Sequence, residues 1–393
     1  MKKLILSLSF ILFINYTFGQ VKAGDVVPDI KFELLNAPVK SIDLSKLKGK
    51  IVLIEFWATW CSPCVDAMPH LAQLQTKYHN KLQVITITDE KTARIRQFLT
   101  SKPFNLWFGI DTGALITGVF PHRVIPHTVV ISPEGKLIAN TTPESVTAFV
   151  IDSLLQQKEV HLAEKKEILL TPPEIVKQYF FAADTVKNRF VMQAEMKGAG
   201  SFSSTYLRDS VFKGRRITFV NFPLNELYRA ANHNFSFRRT ANETGVNSTV
   251  LYCLDIIVEN KDDLLPALQK QLAQRFDVHD RIEPREKEVF ILKVADKEKF
   301  EKIPVSQAAK TALTTAGDKF IGEYVTIADL ADYLESHGIK KLPVVDETAS
   351  KTRLDIQLTF QPEDPESLTK ALAEMGLALE KTSRKIDVLV FSK

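Results

Sequence analysis

The sequence predicts an α/β domain, a central sheet flanked by helices, followed by a second, duplicated α+β unit. Three observations carry this expectation. The run Ile51–Phe56 is short, apolar on both faces and preceded by the turn Lys48-Gly49-Lys50, as a buried central strand should be. It leads directly into a helical pattern carrying Met68, Leu71 and Leu74. Strand-like and helix-like segments then alternate as far as residue 155. Beyond that, Leu254-Asp255-Ile256 recurs as Leu354-Asp355-Ile356, and Leu268, Leu272 and Ala273 recur as Leu368, Leu372 and Ala373, all at one offset.

At the start of the chain, Lys2-Lys3, an apolar run over residues 4–14 and then Thr17-Phe18-Gly19 read as an export signal, residues 1–19, cleaved after Gly19. An uncleaved anchor helix is the alternative, but the run is short for a bilayer, and no later stretch is long and apolar enough to cross one. No cysteine follows the run, so a lipid anchor on the mature chain is not expected. The 393 residues are enough for two or three domains, and 51 Lys plus Arg against 47 Asp plus Glu leave no electrostatic footprint for nucleic acid.

The elements follow in order. Ile30-Lys31-Phe32-Glu33-Leu34 alternates like a half-buried strand. After the central strand, Cys61-Ser62-Pro63-Cys64 opens a helix, and cysteines at i and i+3 share one face, close enough for a disulfide. The first thiol sits where unpaired N–H groups and the helix dipole favour a thiolate. Residues 82–87 read as a strand, 90–101 as a helix, Trp107–Ile110 as a strand and 143–155 as the closing helix. Residues 156–167 are highly charged and Thr171-Pro172-Pro173-Glu174 breaks the pattern, so the expected domains are 24–157 and 176–393, joined by a linker over 158–175. The duplicated halves span about 190–297 and 318–393, by the strand and helix periodicity on either side. Each copy reads helix, strand, helix and then a hairpin ending in Val289-Phe290-Ile291-Leu292 or Val388-Leu389-Val390-Phe391. Strand alternation places Asp255 and Asp355 on the outer face of each sheet. Cys253, the remaining cysteine of three, lies in an apolar run and reads as a small buried hydrophobe, which excludes a structural disulfide framework.

Trp57-Ala58-Thr59-Trp60-Cys61-Ser62-Pro63-Cys64 after a strand resembles the thioredoxin superfamily, in particular the exported, membrane-facing thiol-disulfide oxidoreductases related to cytochrome c maturation proteins. The resemblance covers roughly residues 24–155. It implies a thioredoxin-like fold with a mixed central sheet, an added N-terminal hairpin, and a helix and strand inserted before the proline loop. That loop would be Val124-Ile125-Pro126-His127, with a cis Ile125-Pro126 bond and Pro126 forming a flat surface beside the sulfurs. Trp60, Pro63, Ile125 and His127 would then border the substrate peptide.

Three positions depart from that family. His127 stands where Thr is usual, which puts either an ionisable ring near the disulfide or a surface imidazole without a role there. Ala67 stands where the branch commonly has Glu, and Glu55 where it tends to have Asn. Ordinary thioredoxins hold a buried Asp at the latter place, credited with proton transfer for the second cysteine. Glu55 is therefore expected to be buried, its pKa raised by desolvation, and to act as general base towards Cys64. The alternative is a strand cap or a pair with a nearby lysine.

The second unit resembles an uncharacterised family of exported bacterial proteins described as soil-associated. The matching residues are Leu272 with Arg275-Phe276, Arg285-Glu286, Val289 to Leu292, Pro343-Val344-Val345-Asp346, Leu354-Asp355-Ile356 and the terminal Val388 to Phe391; Ala349 replaces a usual Gly. It supplies no chemistry. No Gly-x-Ser-x-Gly, phosphate-cradling loop or His-x-x-x-His occurs.

The reading that follows is an exported thiol-disulfide oxidoreductase of the periplasm of a Gram-negative bacterium. Cys61 attacks a substrate disulfide and Cys64 resolves the mixed disulfide, forming the redox disulfide Cys61-Cys64. Pro63 resembles the Cys-Gly-Pro-Cys of reducing members, which points to reduction of exported protein disulfides, with electrons from a membrane or periplasmic donor. No cofactor and no metal is expected: His70 and His79 are near in sequence, but a structural zinc site needs four ligands and Cys253 is remote. Peroxidases of the superfamily usually set the reactive Cys after Pro and Thr. A different class is a binding or assembly protein, in which the duplicated unit recruits a partner and the redox domain is accessory.

Overall fold

The computed structural model describes residues 21–245, 249–337 and 341–393; the expected export signal lies outside them. The chain divides into two compact units, the first ending at Ile95 and resuming over 104–165, the second holding 96–103 and 166–393.

The chain up to residue 165 runs β1 (Lys31–Leu34), β2 (Ser41–Asp43), β3 (Ile51–Phe56), α1 (Ser62–Lys77), β4 (Leu82–Thr88), α2 (Thr92–Ser101), β5 (Trp107–Ile110), α3 (Leu115–Val119), β6 (His127–Ile131), β7 (Leu137–Thr141) and α4 (Ala148–Leu155), and of these only α2, from residue 96 on, falls outside the first unit. The strands form one seven-stranded sheet of order β2-β1-β5-β4-β3-β6-β7. β3, β4 and β5 are mutually parallel, whereas β6 runs antiparallel to β3 and β7, and β1 antiparallel to β5 and β2. This is the mixed, thioredoxin-like sheet that the sequence predicts, with β1 and β2 as the added hairpin.

All six residues of β3 are buried, which is why the run lacks alternation. Val52, Ile54 and Phe56 join an apolar cluster with Phe32, Ile87 and Phe120, so the two-residue period turns Leu53 and Glu55 to the other face. The topology also fixes where chemistry can occur. The carboxyl ends of β3, β4 and β5 and the amino end of β6 lie at one edge of the sheet, and the loops that leave or enter them gather there.

In the second unit, Pro172 and Pro173 do not break the chain as expected. They open α5 (Pro172–Tyr179), where a proline in the first turn loses no helical hydrogen bond, and the Glu174 carboxylate accepts the Thr171 N–H at 2.7 Å and its hydroxyl at 2.6 Å. Then come β8 (Arg189–Ala194), β9 (Phe202–Ser204), β10 (Arg216–Pro223), α6 (Leu224–Ala231), β11 (Thr240–Asn242), β12 (Leu251–Ile257), α7 (Leu264–Phe276), β13 (His279–Val294), α8 (Lys297–Phe300), β14 (Ala312–Ala316), β15 (Lys319–Val325), α9 (Ile327–His337), β16 (Val344–Asp346), β17 (Leu354–Thr359), α10 (Pro365–Glu374) and β18 (Leu377–Ser392).

The duplication is real in three dimensions, but the halves interlock. Each half has an antiparallel pair, β10 with β12 and β15 with β17, and each pair is broken by one register shift. The hairpin expected at the end of each copy is instead one long strand. β13 and β18 pair antiparallel with each other from His279↔Ser392 to Val294↔Leu377, and each also carries the short strand of the other copy, β16 on β13 and β11 on β18. The cores follow the same exchange. Leu389 and Phe391 of β18 pack with Leu254, Leu268 and Leu272 of the first copy, and Leu292 of β13 packs with Ile356, Leu368 and Leu372 of the second.

Asp255 is not on an outer face. It is fully buried, with Oδ2 accepting from Arg189 at 2.5 Å and Oδ1 from Arg216 Nε at 2.9 Å and the Thr218 hydroxyl at 2.6 Å. Alternation along a strand assigns a face but not which face is covered, and two guanidinium groups make burial of this carboxylate tolerable. Asp355 stays half-buried and accepts the Tyr324 N–H at 3.1 Å. Cys253 is buried as expected, its S–H donating to Asn221 Oδ1 at 3.3 Å.

Candidate active site

The Cys61 side chain caps α1. Its Sγ accepts the backbone N–H of Cys64 at 3.3 Å, taking one of the donors that a helix start leaves unpaired. Cys61 and Cys64 form a disulfide across a Cα separation of 5.3 Å, and Pro63 lies exposed between them in the first turn. Cys64 is fully buried and Cys61 is 5% exposed, so the first cysteine is the more accessible of the two.

The loop ahead of the cysteines is held from two sides. The Trp57 ring is buried edge-to-face on Phe108, with centroids 5.5 Å apart, and the Trp57 backbone N–H donates to Ile87 C=O at 3.0 Å. Glu90, just past the end of β4, accepts the Thr59 N–H at 2.6 Å and its hydroxyl at 2.8 Å. Trp60 is left 74% exposed beside the cysteines. Glu90 escaped the sequence reading; its place directly after the carboxyl end of a parallel strand was the available signal.

The Ile125-Pro126 bond is cis, in agreement with the resemblance, and Ile125 and Pro126 are half-buried. His127, however, is no surface imidazole. Only 3% exposed, it is placed by the β3–β6 register opposite Phe56, and its ring stacks on His122 at 4.8 Å and 18°. Its face is the one that carries the Phe56 cluster, which leaves Thr128 on the face of Glu55.

Glu55 sits opposite Thr128 on β6 and Thr86 on β4. The Thr128 hydroxyl donates to Oε2 at 2.5 Å, while buried Oε1 has no hydrogen-bond partner. Burial pushes the carboxyl up to about 8; the Thr128 hydrogen bond and the Lys165 charge oppose the shift, and Glu144 adds to it. A nearly neutral acid in a strand otherwise built of apolar residues can take and give a proton near neutral pH. Lys165 itself, read as part of a linker, belongs to the first unit.

Residues 22–155 match the Redoxin family, and residues 231–393 match a family described as protein of unknown function (DUF3738). Among curated relatives, the thiol-disulfide oxidoreductase ResA of Bacillus cereus (strain ZK / E33L) is 34% identical over 121 residues, 30% of this chain and 69% of that protein. ResA of Bacillus subtilis (strain 168) is 28% identical over 134 residues, 34% of this chain and 74% of that protein. A crystal structure described as thiol:disulfide interchange protein DsbE from Chlorobium tepidum is 25% identical, with a TM-score of 0.30, covering 35% of this chain and 96% of that one. The cysteine pair at the head of α1 and the identity across most of the Bacillus cereus protein lead to one assignment: the chain belongs to the Redoxin-family thiol-disulfide oxidoreductases.

Proposed function

We propose that the protein is an exported reductase of disulfides in other exported proteins, working in the periplasm of a Gram-negative bacterium. The observation that carries this reading is the Cys61-Cys64 pair at the head of α1, with the Cys64 N–H aimed at the Cys61 sulfur. In the reduced protein the same N–H and the helix dipole favour the Cys61 thiolate. That thiolate attacks one sulfur of a substrate disulfide; a bond forms to Cys61, and the other substrate sulfur leaves as a thiolate. Glu55 then takes the Cys64 proton, and the Cys64 thiolate attacks Cys61 Sγ. The second substrate sulfur leaves and takes up a proton, and the Cys61-Cys64 disulfide remains. Two electrons have passed to the substrate, and an external dithiol donor, in the membrane or the periplasm, must return them.

Pro126 and Ile125 form the surface on which the substrate peptide lies, and exposed Trp60 and Pro63 border it; His127, buried beneath, shapes that surface without touching the substrate. The charged and apolar start of the chain supports export. Among the described residues no helix is long and apolar enough to cross a membrane. The direction of electron flow is tested by the reduction potential of the Cys61/Cys64 couple. A reductase is expected near the roughly −270 mV of thioredoxin, and a value near the roughly −120 mV of a strong dithiol oxidant would contradict it.

A further inference from the structure

The chain does not leave the first unit freely. Beyond α4 it runs back along β7, the outermost strand on that side of the sheet: the Thr141 hydroxyl donates to Ala163 C=O at 2.7 Å, and the Lys165 N–H donates to Asn140 C=O at 2.9 Å. β7 pairs with β6, and β6 begins directly after the proline loop. The segment thus delivers the half-buried Lys165 side chain to that loop, where Nζ donates to Pro126 C=O at 2.8 Å and also to Val124 C=O.

We propose that Lys165 is a positioning residue of the redox site: its ammonium joins the two carbonyls on either side of Ile125 and so fixes the surface on which a substrate peptide lies beside the sulfurs. This rests on the reductase reading above, in which that loop receives the peptide. Loop carbonyls would otherwise turn to water; an ammonium binds both through charge-assisted hydrogen bonds, about twice as strong as neutral ones. The same charge reaches Glu55. It pulls the carboxyl down against burial and against Glu144, while Thr128 helps it through its hydroxyl. One side chain from the end of the first unit therefore acts on both the peptide surface and the proton acceptor.

The test uses the full chain as wild type, Lys165→Met, Lys165→Gln and Lys165→Arg, with insulin as the disulfide substrate, dithiothreitol as the dithiol donor that returns the electrons, and KM, kcat and the pH profile of kcat/KM above the rate of dithiothreitol alone as readouts. Met keeps the length of the stem and removes both donor and charge, and it should raise KM about tenfold, the scale of losing a hydrogen bond to a charged group. The acidic limb of the profile should move to higher pH, because Glu55 loses the charge that favours its ionised form. Lys165→Arg should recover most of the KM and restore the limb. Lys165→Gln, which keeps a donor but no charge, should show the shifted limb with a smaller rise in KM, and it decides the matter if the Met variant fails to fold. An active wild type whose Met or Gln variant keeps its KM and profile overturns the proposal. So does a loss that Arg leaves unrestored, since that would make Lys165 a packing residue. A wild type that adds nothing to the rate of dithiothreitol alone overturns the reductase reading itself, and this proposal with it.

Discussion

Thr128 faces Glu55 across the β3–β6 ladder and gives it a single hydrogen bond, 2.5 Å to Oε2. One donor cannot replace the hydration of a carboxylate whose other oxygen is buried without a partner, and desolvation therefore dominates its titration.

Glu55→Gln should stabilise the fold and slow the reaction. The folded carboxyl titrates near 8 against an unfolded value near 4.5, so the folded state holds a proton that the unfolded state has released between those values. The resulting stability is fully present below pH 4.5 and is lost as the pH rises towards 8, a cost of about 3 kcal/mol at pH 7 on the order-of-magnitude scale of such shifts. Gln carries no such cost. Urea unfolding should show the variant gaining on the wild type from pH 5 to 8 and matching it near pH 4. Its insulin reduction should fall by about a hundredfold if Glu55 is the base for Cys64, with the limb near pH 8 gone from the profile. Equal rates and equal profiles would leave Glu55 a structural residue.

Asp255→Asn should unfold the second unit early. The substitution leaves the Arg189 and Arg216 guanidinium groups without their buried counter-charge, a change that typically costs about 3–5 kcal/mol. The three tryptophans, Trp57, Trp60 and Trp107, all lie in the first unit, so their fluorescence follows that unit while far-UV circular dichroism follows both. The dichroism midpoint should drop and the fluorescence midpoint hold. A joint shift of both would show that the two units unfold together.

The parts of the site that could be read in the sequence are those set by local spacing. Cys61 and Cys64 are three residues apart at a helix start, and β3 is a continuous apolar run, so their placement needs no knowledge of distant contacts. Glu55 was visible for a related reason: a lone carboxylate in such a run has to be buried. What escaped depends on register and on which face is covered. Thr128 meets Glu55 only through the β3–β6 pairing, Glu90 reaches Thr59 across 31 residues, and Lys165 reaches Pro126 across 39. His127 was open to a surface reading because the residue after the proline can point either way, and the stack on His122 settles it inward. The second unit shows the same limit. Its repeat was plain in the sequence, but that β13 would pair with β18 rather than fold back on its own copy is a long-range choice, fixed by whose core Leu292 and Leu389 complete.

The order of attack, Cys61 first and Cys64 second, can be read from the trapped intermediate. Reduced wild type, Cys61→Ser and Cys64→Ser are each mixed with insulin, quenched in acid and weighed by intact mass spectrometry. Cys64→Ser should accumulate a mixed disulfide through Cys61, Cys61→Ser should form almost none because Cys64 is fully buried, and the wild type should pass on to its Cys61-Cys64 disulfide without accumulating one. Cys253, also buried, should stay unmodified throughout. A mixed disulfide that builds up in Cys61→Ser and not in Cys64→Ser would make Cys64 the attacking thiol and Cys61 the resolving one.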